Sequence, residues 1–251
     1  MEIIEICGYM GAGKSTYART LKAYYDSKEK QVIITSFSKA FKDLMLKHFG
    51  MTKEGIYPDK LPENNSVSNF LEELWDNFEF LKRIFPDVNF ENEIKSKTSF
   101  INRNLEYLTK LINTVMETKN SVDYRILMQA IGTDIVRYQL GEEYWVYTML
   151  AYLIQLDKDS IIIIDDMRFP NEDLRNTKYH AINRKNSFYI LKKIRVEASV
   201  QVRAKRLRKT VDEVIQMQQH VSEENVEKFW VDEIVNTENN RPWVTKVERE
   251  K

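Results

Sequence analysis

The chain has 251 residues, 43% of them hydrophobic and 30% charged, which suits a globular protein with one large domain. Lys plus Arg and Asp plus Glu both total 38, so the formal net charge of zero argues against nucleic-acid and membrane-surface partners. Cys7 is the single cysteine, which excludes an internal disulfide, and no uncharged apolar stretch approaches the ~20 residues of a membrane span.

The first fifty residues alternate between strand and helix patterns. The β-branched run "MEIIEIC" predicts a strand, and the apolar spacing that follows Lys14 predicts a helix. "QVIITSF" predicts a second strand, and "SKAFKDLMLKHFG" predicts a second helix that ends at Gly50. This alternation is typical of a parallel sheet covered by helices, so we predict an α/β fold.

A purely helical pattern occupies the next part of the chain. Apolar residues recur at helical spacing in "NFLEELWDNFEFLKRIF" and "LEYLTKLINTVMETK", after a polar connector that contains Pro58 and Pro62. These patterns predict a helical insertion at about residues 55–120 within a single domain that spans 1–251. Helical patterns continue in "YRILMQAIGTDIVRYQ" and "EEYWVYTMLAYLIQL".

Strand and helix patterns alternate again towards the C-terminus. "SIIIIDDMRFPNED" contains four consecutive isoleucines, which predict a strand buried on both faces. "SFYILKKIRV" predicts another strand, "SVQVRAKRLRKTVDEVIQMQQ" predicts helical structure, and "DEIVNT" predicts a short late strand. The last dozen residues are polar, and we expect them to be frayed.

The stretch "CGYMGAGKST" at residues 7–16 matches the pattern G-x-x-x-x-G-K-[ST] of a phosphate-binding loop. Such a loop aims successive backbone N–H groups at phosphate oxygens, which requires unusual φ angles and little side-chain bulk. Its lysine reaches the β- and γ-phosphates, and the hydroxyl of Ser15 can ligate Mg²⁺. A glycine-rich turn that matches by chance is the alternative. We predict a nucleotide-phosphate site at Gly8, Gly11, Ala12, Gly13, Lys14, Ser15 and Thr16.

Two aspartates, Asp165 and Asp166, follow the run of isoleucines. Ligands of parallel sheets bind beyond the carboxyl ends of the strands, and adjacent strand residues point to opposite faces. One of the two carboxylates is therefore expected to face the phosphate loop, where it would order Mg²⁺ or its waters. A helix cap or an acidic loop start is the alternative. Arg168 is a candidate phosphate ligand on the same side, or one half of a surface ion pair.

"RILMQAIGTDIVRYQLGEEYWV" is similar to the corresponding stretch of the bacteriophage deoxynucleoside monophosphate kinases, a family of P-loop nucleotide kinases. Three further segments resemble the family in the same order, namely "SKAFKDLM", "DDMRFPNE" and "HVSEENVEKFWVDEIVNT". The similar segments run from residue 3 to about 237 and leave out most of 51–120. The resemblance implies a three-layer α/β/α P-loop NTPase fold with a parallel sheet, a helical insertion and a lid.

The resemblance also implies transfer of the ATP γ-phosphoryl group to a deoxynucleoside monophosphate, with Mg²⁺, in the cytoplasm or, for a viral protein, in the host cytoplasm. It assigns catalysis to Lys14, Asp166 and Arg168, and metal binding to Ser15 and Asp166. It places the acceptor nucleotide against Lys42, Arg125, Gly132, Thr133, Asp134, Trp145, Arg168 and Glu172. Other interpretations are a core role for Trp145, a helix kink and cap at Gly132 and Thr133, and a solvated helix position for Lys42.

The phosphate loop departs from the family pattern, because relatives often carry basic residues where this chain has Tyr9, Met10 and Gly11. The segment "VRAKRLRK" lies in a lid predicted at about residues 199–222 and offers Arg203, Arg206 and Arg208. We assign ATP binding to Arg203 and Arg206. A solvated basic helix face is the alternative.

Two other functions stay open at this point. "IRVEASVQVRAKR" resembles the lid strand and helix of animal-type phosphomevalonate kinases, which would make the acceptor a different small phosphate. A P-loop protein that only binds ATP, or an ATPase stimulated by DNA, would hydrolyse ATP without transfer to a monophosphate. The sequence leaves the accepted bases and the oligomeric state open, a homodimer included.

Overall fold

The computed structural model describes residues 1–52, 65–90, 94–175, 179, 182, 189–238 and 243–246. The chain divides into two compact units. The sheet unit comprises Met1–Phe37 and Ile154–Lys251, and the helical unit comprises Ser38–Leu153. The single domain with an insertion at about 55–120 stays a prediction, and part of that range, with Pro58 and Pro62, lies outside the described residues.

A six-stranded sheet forms the frame of the sheet unit. Its strands lie in the order β2-β3-β1-β4-β5-β6. The first five pair in parallel, and the sixth pairs antiparallel with its neighbour. The α/β fold class with a parallel sheet is confirmed. In chain order the strands are β1 (Glu2–Cys7), β2 (Val32–Thr35), β3 (Ile161–Ile164), β4 (Tyr189–Glu197), β5 (Glu233–Asn236) and β6 (Trp243–Lys246).

Helix α1 (Lys14–Asp26) contributes to an apolar core on one face of this sheet. Ile4 and Ile6 of β1 are fully buried there with Ala18 of α1. The isoleucines of β3 are all buried, as expected for a central strand. β1 and β3 run side by side in register, so the loops that follow them begin at the same edge of the sheet.

Charged side chains are buried elsewhere in the same sheet. Glu5 of β1 pairs in register with Lys193 of β4, and the two side chains are 0% and 2% exposed. The Nζ atom of Lys193 donates to Asp173 at 2.6 Å, and Glu5 accepts the N–H of Leu174 at 2.9 Å. Burial, with a smaller contribution from the nearby Asp173, raises the pKa of Glu5 to about 8. These contacts fasten the segment that follows β3 to the middle of the sheet.

Seven helical segments make up the described part of the helical unit. Helix α2 ends at Gly50, whose φ of 63° lies in the left-handed region, as its position predicted. The apolar spacing of α3 and α4 also corresponds to buried side chains, such as Leu74 and Leu108. The segments are α2 (Lys39–Phe49), α3 (Ser66–Ile84), α4 (Lys97–Thr118), α5 (Ser121–Gln129), a π-helix (Ala130–Arg137), α6 (Tyr138–Leu140) and α7 (Tyr144–Leu153).

Polar side chains connect these helices through the buried interior. The amides of Asn104 and Gln139 exchange two hydrogen bonds at 2.8 and 2.9 Å. The hydroxyl of Tyr144 donates to the backbone carbonyl of Leu74 at 3.0 Å and accepts from Asn77 at 2.9 Å. Because unpaired buried polar groups are costly, such mutual bonds specify one arrangement of the helices.

The stretch that contains Gly132 and Thr133 is a π-helix, which sequence periodicity did not predict. The N–H of Tyr138 donates to the carbonyl of Thr133, five residues earlier. The π-form is rare and is frequently found at functional sites. The kink and cap considered for Gly132 and Thr133 are thus replaced by a widened turn within a continuous helical run from α5 to α6.

The helical pattern at 199–219 corresponds to two helices, α8 (Val200–Leu207) and α9 (Val211–Gln218), followed by α10 (Val221–Glu224). Arg208, with a φ of 55°, ends α8, and Thr210 starts α9 by exchanging hydrogen bonds with Glu213. The last dozen residues are not frayed throughout, because they contain β6. Within the part of the chain that the structure describes, no helix has the length and apolarity to cross a membrane.

We predict that Gly8→Ala destabilises the protein by roughly 1–3 kcal/mol or more. Gly8 has a φ of 143°, and a Cβ atom there would lie 2.3 Å from the backbone carbonyl oxygen of Val196. Gly132→Ala is the control, because its Cβ would lie 3.9 Å from the nearest side chain, that of Phe41. Urea denaturation followed by circular dichroism measures both variants. Equal stability of Gly8→Ala and the wild type would contradict this packing.

We also predict that stability falls with rising pH because of Glu5. The folded chain keeps the Glu5 proton up to about pH 8, whereas the unfolded chain releases it above its ordinary pKa of 4.5. The folded state therefore holds more protons between these values, and Glu5 lowers the free energy of unfolding by up to about 1.4 kcal/mol per pH unit.

Denaturant titrations between pH 5 and 8 test this dependence. Glu5→Gln keeps the carbonyl that accepts from Leu174 and should flatten the slope. Glu2→Gln, which alters a half-buried carboxylate of the same strand, should retain it. An unchanged slope in Glu5→Gln would show that Glu5 does not carry this buried proton.

Candidate functional site

The loop between β1 and α1 has the backbone shape of a phosphate cradle. Gly8, Gly11 and Gly13 all have positive φ angles, of 143°, 79° and 98°. The N–H of Ala12 donates to the carbonyl of Tyr9 at 3.1 Å, which closes a tight turn. Helix α1 begins directly after Gly13 and has no side-chain cap. Its first N–H groups and its dipole therefore favour an anion at this end.

Lys14 folds back over this loop. Its side chain is buried, and Nζ donates to the carbonyls of Gly8 at 2.5 Å and Tyr9 at 3.1 Å. Burial, followed by repulsion from Arg168, lowers the pKa of Lys14 to about 8, and Glu223, Asp166 and Asp165 oppose that shift. The ammonium group thus lies among charged groups of both signs before any phosphate binds.

Ser15 and Asp166 are the two predicted Mg²⁺ ligands, and both carry side-chain oxygens near Lys14. Ser15 is exposed at the first turn of α1, and Thr16 is exposed beside it. Asp166 accepts the N–H of Phe37 at 2.6 Å, and both aspartates contribute to the pKa of Lys14. Within the described ranges, no group of three or more His, Cys, Asp or Glu residues is arranged to hold a metal by itself. One hydroxyl and one carboxylate fit a Mg²⁺ ion that takes its other ligands from phosphates and water.

Arg168 and Glu172 lie in the segment after β3, which stays beside β1. The N–H of Met167 donates to the carbonyl of Ile6 at 3.2 Å, so the chain stays hydrogen-bonded to β1 three residues beyond the end of β3. Glu172 is buried, and its carboxylate accepts the N–H groups of Arg168 at 2.7 Å and Phe169 at 3.1 Å. The Glu172 carboxylate therefore fixes the backbone from which the Arg168 side chain extends.

The guanidinium of Arg168 has a carboxylate partner that the sequence did not single out. Its Nη1 atom donates to Glu223 of α10 at 2.5 Å, and the other oxygen of Glu223 accepts the N–H of Met10 at 2.9 Å. Glu223 is the fourth residue of the segment "HVSEENVEKFWVDEIVNT", but nothing in that segment indicates a partner for its carboxylate. Its contacts span 55 and 213 positions of sequence.

Arg203 and Arg206 of α8 contact the phosphate loop. The guanidinium of Arg203 lies 4.9 Å from the centroid of the Tyr9 ring, and its Nε atom donates to the carbonyl of Ala198 at 3.2 Å. Arg206 donates to the carbonyls of Gly11 and Ala12, both at 3.2 Å. Their assignment to ATP stays a prediction, and Arg208 is the residue that ends α8.

Thr237, which follows β5, completes the support behind the loop. Its hydroxyl donates to the carbonyl of Ala12 at 2.6 Å, and its own carbonyl accepts from Arg206 at 2.5 Å. The carbonyl of Ala12 thus accepts from both Thr237 and Arg206, which fixes this part of the loop. No sequence motif indicated this role for Thr237.

The helical unit brings some of the predicted acceptor residues together. The indole N–H of Trp145 donates to the carbonyl of Gly132 in the π-helix at 3.0 Å, and its ring lies 5.5 Å from that of Phe41. Trp145 is 5% exposed, so it is part of the core whatever else it contacts. Lys42 follows Phe41 on α2, and half-buried Thr133 and Arg125 and exposed Asp134 lie on the adjoining helical run.

Comparison with known proteins adds one positive finding. A family model described as deoxynucleotide monophosphate kinase matches residues 2–182. The matched span begins before the phosphate loop and includes the helical unit, Arg168 and Glu172, but not Arg203, Arg206 or Glu223.

The other two comparisons contribute little. No curated protein matches the chain. A solved structure titled "Crystal structure of TT1252 from Thermus thermophilus" is 14% identical, with 94% of this chain and 88% of that one covered and a TM-score of 0.34, which is too low to support an argument. The family model alone spans well over half of the sequence. The chain belongs to the deoxynucleotide monophosphate kinase family.

Proposed function

We propose that the protein transfers the γ-phosphoryl group of ATP to the 5′-phosphate of a deoxynucleoside monophosphate, which gives the diphosphate and ADP. One observation supports this reaction above the others. Arg168 Nη1 donates to Glu223 at 2.5 Å, and the other oxygen of that carboxylate accepts the N–H of Met10 in the phosphate loop at 2.9 Å. Lys14, for the donor phosphates, and Arg168, for an acceptor phosphate, are thus both held at this loop.

The donor side rests on the phosphate loop. Backbone N–H groups of Gly11 and Gly13 and the first turn of α1 would surround the β-phosphate, next to the turn that Ala12 closes, and Lys14 would exchange its two carbonyl partners for phosphate oxygens. Ser15 and Asp166 would hold Mg²⁺, which supplies positive charge between the β- and γ-phosphates. Arg203 and Arg206 are proposed to help bind ATP from the lid side, together with the exposed hydroxyl of Thr16.

The acceptor side needs no general base. A monophosphate already carries an anionic oxygen, so the protein has to position it in line and neutralise the charge of the transferring group. Arg168 would hold the acceptor phosphate, and Glu172 would fix the Arg168 backbone. We propose that Lys42, Arg125, Gly132, Thr133, Asp134 and Trp145 contact the remainder of the acceptor nucleotide.

We predict that Lys14→Met lowers the rate of phosphoryl transfer by roughly 10³-fold or more while the fold is kept. Methionine retains much of the buried stem and removes the ammonium group that would stabilise the transferring phosphate. Transfer of ³²P from [γ-³²P]ATP to each of the four deoxynucleoside monophosphates measures the loss. Lys30→Ala, which removes an exposed lysine after α1, should keep wild-type activity.

The same assay separates the rival functions. Transfer to mevalonate 5-phosphate but to no nucleotide would make this a phosphomevalonate kinase. Hydrolysis of ATP that DNA stimulates, without labelled diphosphate, would make it an ATPase. Full transfer by Lys14→Met would contradict the assignment of the phosphate loop.

We predict that Arg168→Lys raises the KM for the acceptor about 10- to 100-fold and changes the KM for ATP little. Lysine keeps the positive charge but loses the planar pair of N–H donors that binds a phosphate in two-point fashion. Arg83→Lys, at an exposed position of α3, is the matched control. Steady-state kinetics with each substrate varied in turn measures both KM values. A rise in the KM for ATP alone would contradict the role of Arg168.

A further inference from the structure

We propose that Glu223 is a positioning residue for the phosphoryl transfer: its carboxylate holds the Arg168 guanidinium at the phosphate loop in the place where the acceptor phosphate binds. This inference rests on the proposed function. Both oxygens of Glu223 are used, one by Arg168 Nη1 at 2.5 Å and the other by the Met10 N–H at 2.9 Å. One side chain thus connects the donor loop to the acceptor arginine.

The burial of Glu223 indicates that this carboxylate has a specific role. Glu223 is 1% exposed. Burying a carboxylate costs several kcal/mol of folding free energy unless the group is paired and hydrogen-bonded. The adjacent Glu224 is exposed, and its ion pair with Lys228 spans 3.6 Å between exposed side chains. Two neighbouring glutamates of one short helix therefore differ sharply in environment.

The segment around Glu223 is fastened to the phosphate loop at a second point. Tyr9 donates its hydroxyl to Glu227 at 3.0 Å, one residue before Met10 in the loop. Arg203 of α8 lies against the ring of the same tyrosine. Glu223 and Glu227 contact the consecutive loop residues Met10 and Tyr9. The segment 223–227 is therefore fastened to the loop at two points, which fixes the position of the carboxylate that binds Arg168.

Electrostatics explains why a negative charge belongs here. Arg168 and Lys14 are both cations at the phosphate loop; the Arg168 guanidinium donates to Glu223, and the Lys14 ammonium donates to loop carbonyls. A carboxylate beside two like charges offsets part of their repulsion. Asp165 and Asp166 have been considered for the metal, and Asp166 accepts the N–H of Phe37. Glu223 is therefore the carboxylate available to orient Arg168.

A double-mutant cycle between Glu223→Gln and Arg168→Met tests the inference. We expect Glu223→Gln to lower kcat/KM for the monophosphate about 10- to 100-fold, with the KM for ATP within about 2-fold of wild type. In the Arg168→Met background the same change should have little further effect, because Glu223 acts through the arginine. Glu224→Gln is the matched control and should behave as the wild type.

The outcomes are distinguishable. A wild-type enzyme that transfers phosphate to no monophosphate would overturn the proposed function and this inference with it. Wild-type transfer with an unaffected Glu223→Gln variant, or with effects that simply add in the double mutant, would overturn the inference alone. A rise in the KM for ATP alone would also overturn the inference, because it would show that Glu223 acts on the donor loop and not on Arg168.

Glu223→Asp covers the case in which the glutamine variant does not fold. It keeps the charge but withdraws the carboxylate by one methylene, so the pair with Arg168 and the bond to Met10 cannot both be kept. The same fall in kcat/KM for the monophosphate and the same non-additivity with Arg168→Met are expected. A thermal unfolding midpoint close to that of the wild type in each variant would show that the lost activity does not come from a destabilised fold.

Discussion

The structure depends on holding two cations, Lys14 and Arg168, at the glycine-rich loop between β1 and α1. Lys14 satisfies its ammonium group with two carbonyls of the loop, and Arg168 satisfies its guanidinium with Glu223. Burial strengthens both attractions and the repulsion between the cations. Burial, more than repulsion from Arg168, lowers the pKa of Lys14 to about 8. Phosphate oxygens at the loop would offset this repulsion.

The backbone around the site is fixed from several directions so that this arrangement persists. Gly8 passes so close to β4 that any side chain would collide with the carbonyl of Val196. Arg206 and Thr237 bind the carbonyls on the outer side of the loop. The segment that carries Arg168 is fastened by Glu172 and, through Leu174, by the buried Glu5. Preorganised donors of this kind need little rearrangement when the reaction develops charge.

The sequence predicted those features that depend on neighbouring residues. The phosphate loop is a continuous motif, and the strands and helices next to it follow from local periodicity. Glu223 and Thr237 were missed because their contacts with the loop join residues 213 and 225 positions apart. The π-helix was missed because Gly132 and its neighbours have ordinary helical periodicity. The strand β6 was missed because it is only four residues long, lies among polar residues of the chain and depends on pairing with β5. Glu5 lies within an apolar run whose pattern does not show where a carboxylate is buried.

A structure of the protein with a non-hydrolysable ATP analogue, Mg²⁺ and a deoxynucleoside monophosphate would test the central claim most directly. The account predicts phosphate oxygens of the analogue within hydrogen-bond distance of Lys14 Nζ and the loop N–H groups. It also predicts the acceptor phosphate on Arg168, with Glu223 still bound to that arginine. An unoccupied loop, or an acceptor phosphate bound away from Arg168, would contradict it.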